Sequence, residues 1–218
     1  MNTRKVIAEF LGTFLFLTIG YTSVAAFGKA GAPGLLVVPF AFSFGLLGAI
    51  FAFGPVSGAH YNPAVTIAMV LDGRTLVSEA IGYIVAQILG ALAAALLILV
   101  VVGQAAVAAG ATKPGTGITE IGALILEVVL TAGFVLVILA STKHTPTQAV
   151  LAIPLTLVAI HFAAAPLSGA SVNPARSIGS AVVGGDLGSL WVYLVAPVIG
   201  AVIGWAVYRF AAAEVEIV

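Results

Sequence analysis

The sequence predicts an all-α membrane protein: six transmembrane helices plus two re-entrant half-helices in an inverted repeat. Three observations carry that prediction. Hydrophobic residues make up 61% of the 218 and charged residues 7%, with a mean hydropathy of +1.22. A soluble domain carries about 25% charged residues, so this chain cannot cover itself with a wetted surface. The apolar runs are continuous and reach the roughly 20 residues that span a bilayer, whereas a membrane barrel would alternate in segments of about ten. Finally, "SGAHYNPAVT" at 57–66 returns as "SGASVNPARS" at 168–177. Each copy heads an apolar piece too short to cross.

Taken in chain order, the long apolar segments cover about 6–27, 35–54, 77–102, 118–141, 148–166 and 190–211. The first has the charged-then-apolar order of a signal peptide, but its run is too long for an ordinary h-region, so it reads as a retained span. The stretches between them, "FGKAGAPG", "LDGRTLVSE", "GQAAVAAGATKPGTG", "STKHTPTQ" and "GGDLGS", are rich in breakers and charge and read as loops. The two short pieces run from Asn62 to Leu71 and from Asn173 to Val183. At about 1.5 Å per residue each is ~15 Å long, half of the roughly 30 Å hydrocarbon core. Asparagine is a preferred N-cap and proline suits the first helical position, so Asn62-Pro63-Ala64 and Asn173-Pro174-Ala175 each open a half-helix. Their N-termini should meet near the midplane.

The chain reads as one domain over 1–218, made of repeats at approximately 1–103 and 118–211. The segments 54–65 and 165–176 agree at seven positions with an offset of 111, and Glu9 and Thr13 recur as Glu127 and Thr131. Three spans per half make the halves antiparallel, and such repeats place their site near the midplane where broken helices meet. Arg4, Lys5, Arg74, Lys143 and Arg209 fall on one side, Lys29 and Lys113 on the other. That bias puts both termini in the cytoplasm. Zero net charge and no basic face speak against nucleic acid, and the absence of cysteine excludes disulfides and thiol chemistry. His60, His144 and His161 are too scattered for a local metal cluster. Ser57-Gly58 and Ser168-Gly169 resemble a membrane serine hydrolase motif, but Pro55 and Pro166 stand where its glycine belongs.

Twin Asn-Pro-Ala motifs, the second followed by Arg-Ser, in a six-span inverted repeat resemble the aquaporin (major intrinsic protein) family. The resemblance covers the whole chain and is nearest to its water-selective bacterial type. It implies a passive water pore through each protomer, a homotetramer in the lipid bilayer of the plasma (inner) membrane, and no cofactor, metal or enzymatic step. It also implies a selectivity filter of Phe42, His161, Ala170 and Arg176. Arg176 would repel cations and offer donors, His161 would add a polar edge, and Phe42 an apolar wall. At the centre, Asn62 and Asn173 would keep their amide N–H groups for the passing water oxygen. Glu9 and Glu127, with His60 and Gln87, would brace the re-entrant loops. Two departures favour the alternative, an aquaglyceroporin-like channel for glycerol or other small neutral solutes. Ala170 stands where Thr or Cys is common, and Leu194 follows Tyr193 where water-type members often carry tryptophan. In the last span, Gly200 and Gly204 have the spacing of close helix packing.

Overall fold

A computed structural model describes residues 2–211, and among them the secondary structure is entirely helical. Six helices are long and apolar enough to cross a membrane: α1 (Thr3–Phe27), α2 (Ala32–Ser57), α4 (Val77–Val101), α6 (Glu120–His144), α7 (Pro146–Ser168) and α9 (Leu190–Ala211). Two short helices follow the asparagines, α3 (Pro63–Leu71) and α8 (Pro174–Gly184). Their nine and eleven residues are about 14 and 17 Å long at 1.5 Å per residue, so end to end they match one bilayer core.

Two expected loops need correction. Residues 104–109, read as part of a connection, form a helix, α5 (Gln104–Ala109). Alanine is the best helix former, and four of the six residues are alanine. The segment 141–148 is almost wholly helical as well, with Thr145 alone between α6 and α7. Pro146 is the first residue of α7, a position where its missing N–H costs nothing. The helices before the motifs also run past Pro55 and Pro166 to Ser57 and Ser168.

The two halves pack alike. Helix α1 lies against α2 and α4, as α6 lies against α7 and α9, and α2 meets α7 between the halves. Glycine sets the closest crossings. A Cβ on Gly90 would sit 2.6 Å from the Phe10 carbonyl oxygen, and one on the repeat-related Gly200 would sit 2.5 Å from that of Val128. Gly204 meets the Ala132 carbonyl in the same way, which bears out the Gly-x-x-x-Gly reading. The half-helices are exchanged: α3 packs more extensively on α9 than on α4, and α8 more extensively on α4 than on α9.

Candidate functional site: a polar seam at the half-helix junction

Each re-entrant loop leaves its long helix through a left-handed glycine, Gly58 (φ 89°) or Gly169 (φ 83°). Four non-glycine residues follow it into the same region: Ala59, Tyr61, Ala170 and Val172, with φ between 44° and 57°. That conformation costs roughly 1–2 kcal/mol per residue, so the loops need anchors. Buried Glu9 supplies one. It accepts from Ser57 Oγ at 2.6 Å, His60 N at 2.9 Å, Tyr61 N at 2.7 Å and Gln87 Nε2 at 2.7 Å. Glu127 does the same for the second loop, accepting from Ser168 Oγ at 2.7 Å and from Ser171 N and Val172 N at 2.8 Å. Gln87 has no counterpart there, because Pro197 occupies the repeat-related position. Sequence reading missed two further anchors. Tyr83 and Tyr193 donate their hydroxyls to the carbonyls of Ser57 and Ser168, at 2.8 and 2.7 Å, satisfying acceptors that a helix end leaves orphaned.

The asparagines cap their half-helices as expected. Asn62 Oδ1 accepts from Ala64 N at 2.9 Å, and Asn173 Oδ1 from Ala175 N at 3.0 Å. Their amide groups are not wholly free, however. Asn62 Nδ2 donates to the Val172 carbonyl at 2.7 Å, and Asn173 Nδ2 to the Tyr61 carbonyl at 2.9 Å. A side-chain amide has two N–H donors. One on each asparagine is committed to the opposite loop, and one is left.

Beside this seam lies a cavity of about 470 Å³, bounded at one end by Phe42, His161 and Arg176 and reaching Thr142 and Pro146 at another. Asn62 and Asn173 are on its wall. Phe42 stacks on His161 with ring centroids 5.2 Å apart and 20° between planes. The Arg176 guanidinium carbon lies 5.2 Å from the Phe42 centroid, within cation–π range. Gly20 makes room for this aromatic, since a Cβ there would come within 2.4 Å of the ring. His161 Nδ1 lies 2.9 Å from the Leu157 carbonyl, which can only accept, so Nδ1 carries a proton. Nε2 is buried without a partner among the described residues. Arg176 Nη1 donates to the Gly110 carbonyl at 2.7 Å, the cap of α5, and Tyr21 donates its hydroxyl to the Arg176 carbonyl. Arg176 Nε has no partner among the described residues.

Phe42, His161 and Arg176 are thus brought together, whereas Ala170 is fully buried and is not on the cavity wall. His60 both braces and lines: its backbone binds Glu9 while the residue contributes to the cavity. Near Thr142, Arg74 pairs with Asp72 at 2.6 Å and donates to that wall residue at 2.8 Å. No group of three or more His, Asp and Glu suited to a metal ion occurs among the described residues.

The Major intrinsic protein family matches residues 1–208 of the chain. This chain belongs to that family. An Aquaporin Z from Rhodopseudomonas palustris is 41% identical, covering 98% of this chain and 95% of its own length. An Aquaporin Z from Photorhabdus laumondii is 40% identical, with coverage of 97% and 98%. Among solved structures, the X-ray structure of the aquaglyceroporin from Plasmodium falciparum matches with a TM-score of 0.88 over 97% of each chain. At 24% identity that likeness is one of fold. Family membership and the six apolar helices make the chain an integral membrane protein.

Proposed function

We propose that this major intrinsic protein is a passive water channel that excludes protons and admits glycerol poorly. The observation that carries the reading is the packing of Phe42 against both His161 and Arg176 at the end of the cavity. An aromatic face, a histidine edge and a fixed guanidinium there leave a narrow passage with one apolar and one polar side. The two relatives named Aquaporin Z support water as the permeant. In this reading Phe42, His161, Ala170 and Arg176 form the filter, with Ala170 set behind the wall that the other three line. Fixed positive charge at Arg176 and the paired N-termini of α3 and α8, each equivalent to about half a charge, disfavour hydronium. The uncommitted N–H of each asparagine serves the passing oxygen.

The protein works as a homotetramer in the plasma membrane with both termini cytoplasmic, the side on which five of the seven loop and terminal basic residues fall. No chemical step is involved. Stopped-flow light scattering of proteoliposomes tests the proposal. Shrinkage in sucrose should be much faster than in empty liposomes, with no faster glycerol re-entry. Rapid re-swelling in glycerol would assign the chain to the small-solute type, and no acceleration in either would end the open-channel reading.

A further inference from the structure

Ser177 follows Arg176 directly and is fully buried. Its repeat counterpart, 111 positions earlier, is Thr66. In the first half Thr66 Oγ1 donates to the Asn62 carbonyl at 3.0 Å and accepts from Gln87 Nε2 at 2.9 Å. The same Gln87 nitrogen donates to Glu9 Oε2 at 2.7 Å, so helix α4 serves the loop anchor and the half-helix hydroxyl together. The second half cannot copy this arrangement. Pro197 stands where Gln87 would be, and a proline side chain has nothing to donate.

Ser177 takes its donor from outside the repeat. Thr112, in the connector of residues 110–119 between α5 and α6, is buried and places its Oγ1 2.7 Å from Ser177 Oγ. Ser177 Oγ in turn lies 2.6 Å from Ser171 Oγ, which lies 3.0 Å from the Asn173 carbonyl. Three hydroxyls carry three protons, and only one direction along this chain uses all of them. If Ser177 donated to Thr112, the Thr112 proton would have no acceptor among the described residues, and a buried donor left unmet is costly. Thr112 therefore donates to Ser177, Ser177 to Ser171, and Ser171 to the Asn173 carbonyl. The connector also grips its neighbours on either side of Thr112. The Gly110 carbonyl accepts from Arg176 Nη1 at 2.7 Å, and Gly115 N donates to the Leu167 carbonyl at 2.8 Å. The Thr112 side chain itself fills the space beside Gly169, where an added Cβ would lie 3.2 Å from both Cβ and Cγ2 of the threonine.

We infer that Thr112 is a positioning residue for Arg176, its hydroxyl serving the second half-helix as the Gln87 amide serves the first. The inference rests on the water-channel reading, in which Arg176 narrows the passage. The backbone of Arg176 is steadied through the neighbouring Ser177, and its guanidinium through Gly110. One connector thus holds both ends of the arginine. Without the Thr112 hydroxyl the connector is free to draw back, taking the guanidinium away from Phe42 and widening the passage.

Thr112→Val keeps the shape of the side chain and removes the donor. In proteoliposomes it should raise glycerol relative to water permeability several-fold, and Thr112→Ser, which keeps the hydroxyl, should hold the wild-type ratio. In a Ser177→Ala background Thr112→Val should change the ratio no further. A Thr112→Val channel with the wild-type ratio overturns the positioning role. So does a Thr112→Ser channel that behaves like Thr112→Val, or an undiminished effect in the Ser177→Ala background, since either traces the change to packing alone. Thermal unfolding in detergent of the wild type, the two single variants Thr112→Val and Ser177→Ala and their double variant reads the hydrogen bond without permeation. The two substitutions should be non-additive, and additive shifts of the midpoint overturn the hydroxyl chain. A wild-type protein that passes no water overturns the water-channel reading and the positioning role with it, while the thermal cycle still decides the bond.

Discussion

Phe42, a residue of the proposed filter, owes its position to the side chains packed around it. Its ring lies on His161 and beneath Arg176, while Phe16 and Tyr21 meet it edge-on with centroids 6.0 and 6.2 Å away. Gly20 gives it the space to stay back. Gly20→Ala should push the ring toward His161 and lower water permeability several-fold without loss of folding, since about 1–3 kcal/mol of overpacking can be relieved by moving a ring into an open cavity. Comparison of permeability per channel, with circular dichroism as the folding control, checks this. The two bracing glutamates should also differ. Glu127→Gln places an amide against two backbone donors and has no neighbouring glutamine to rearrange, whereas Glu9 has Gln87 beside it. Leaving a buried donor unmet costs about 1–3 kcal/mol. Thermal unfolding in detergent should show Glu127→Gln lowering the midpoint more than Glu9→Gln does, and equal shifts would count against the role assigned to Gln87.

Helix α5 was invisible to breaker-based reading because it is brief and flanked by Gly103 and Gly110, residues that ordinarily mark loops. Its cap carbonyl nevertheless holds Arg176. A Cβ on Gly184 of α8 would come within 2.9 Å of the Ala108 backbone, so Gly184→Val should force α5 away from α8 and loosen the guanidinium. The expected outcome is a several-fold rise in glycerol relative to water permeability, read from the same osmotic assay; an unchanged ratio would mean that α5 does not position Arg176. The long helices and both half-helices, by contrast, were legible, since each has a full apolar run and a recognisable asparagine or proline start. The Asn-Pro-Ala pairs, the two glutamates and the Phe42–His161–Arg176 set were legible too, through the repeat and its resemblance. What stayed hidden was tertiary. The tyrosine bonds to Ser57 and Ser168, the space at Gly20 and the crossed asparagine amides depend on contacts between elements far apart in sequence, which no local pattern records.

At the scale of the molecule, the absence of cysteine yields a direct expectation. Mercuric chloride should leave water permeability unchanged, and a block reversed by added thiol would contradict it. The exchange of half-helices has a different consequence, one for biogenesis. Helix α3 leaves the ribosome long before α9, its main neighbour, exists, and the asparagine hydrogen bonds that join the two loops connect residues 110 and 112 positions apart. From Leu71 to Ala211, synthesis at about 5–20 residues per second takes roughly 7–30 s. For that interval the Asn62 amide and the Tyr61 carbonyl lack the partners that the second loop supplies. A nascent chain in that state should need its half-built seam sheltered until the second half arrives.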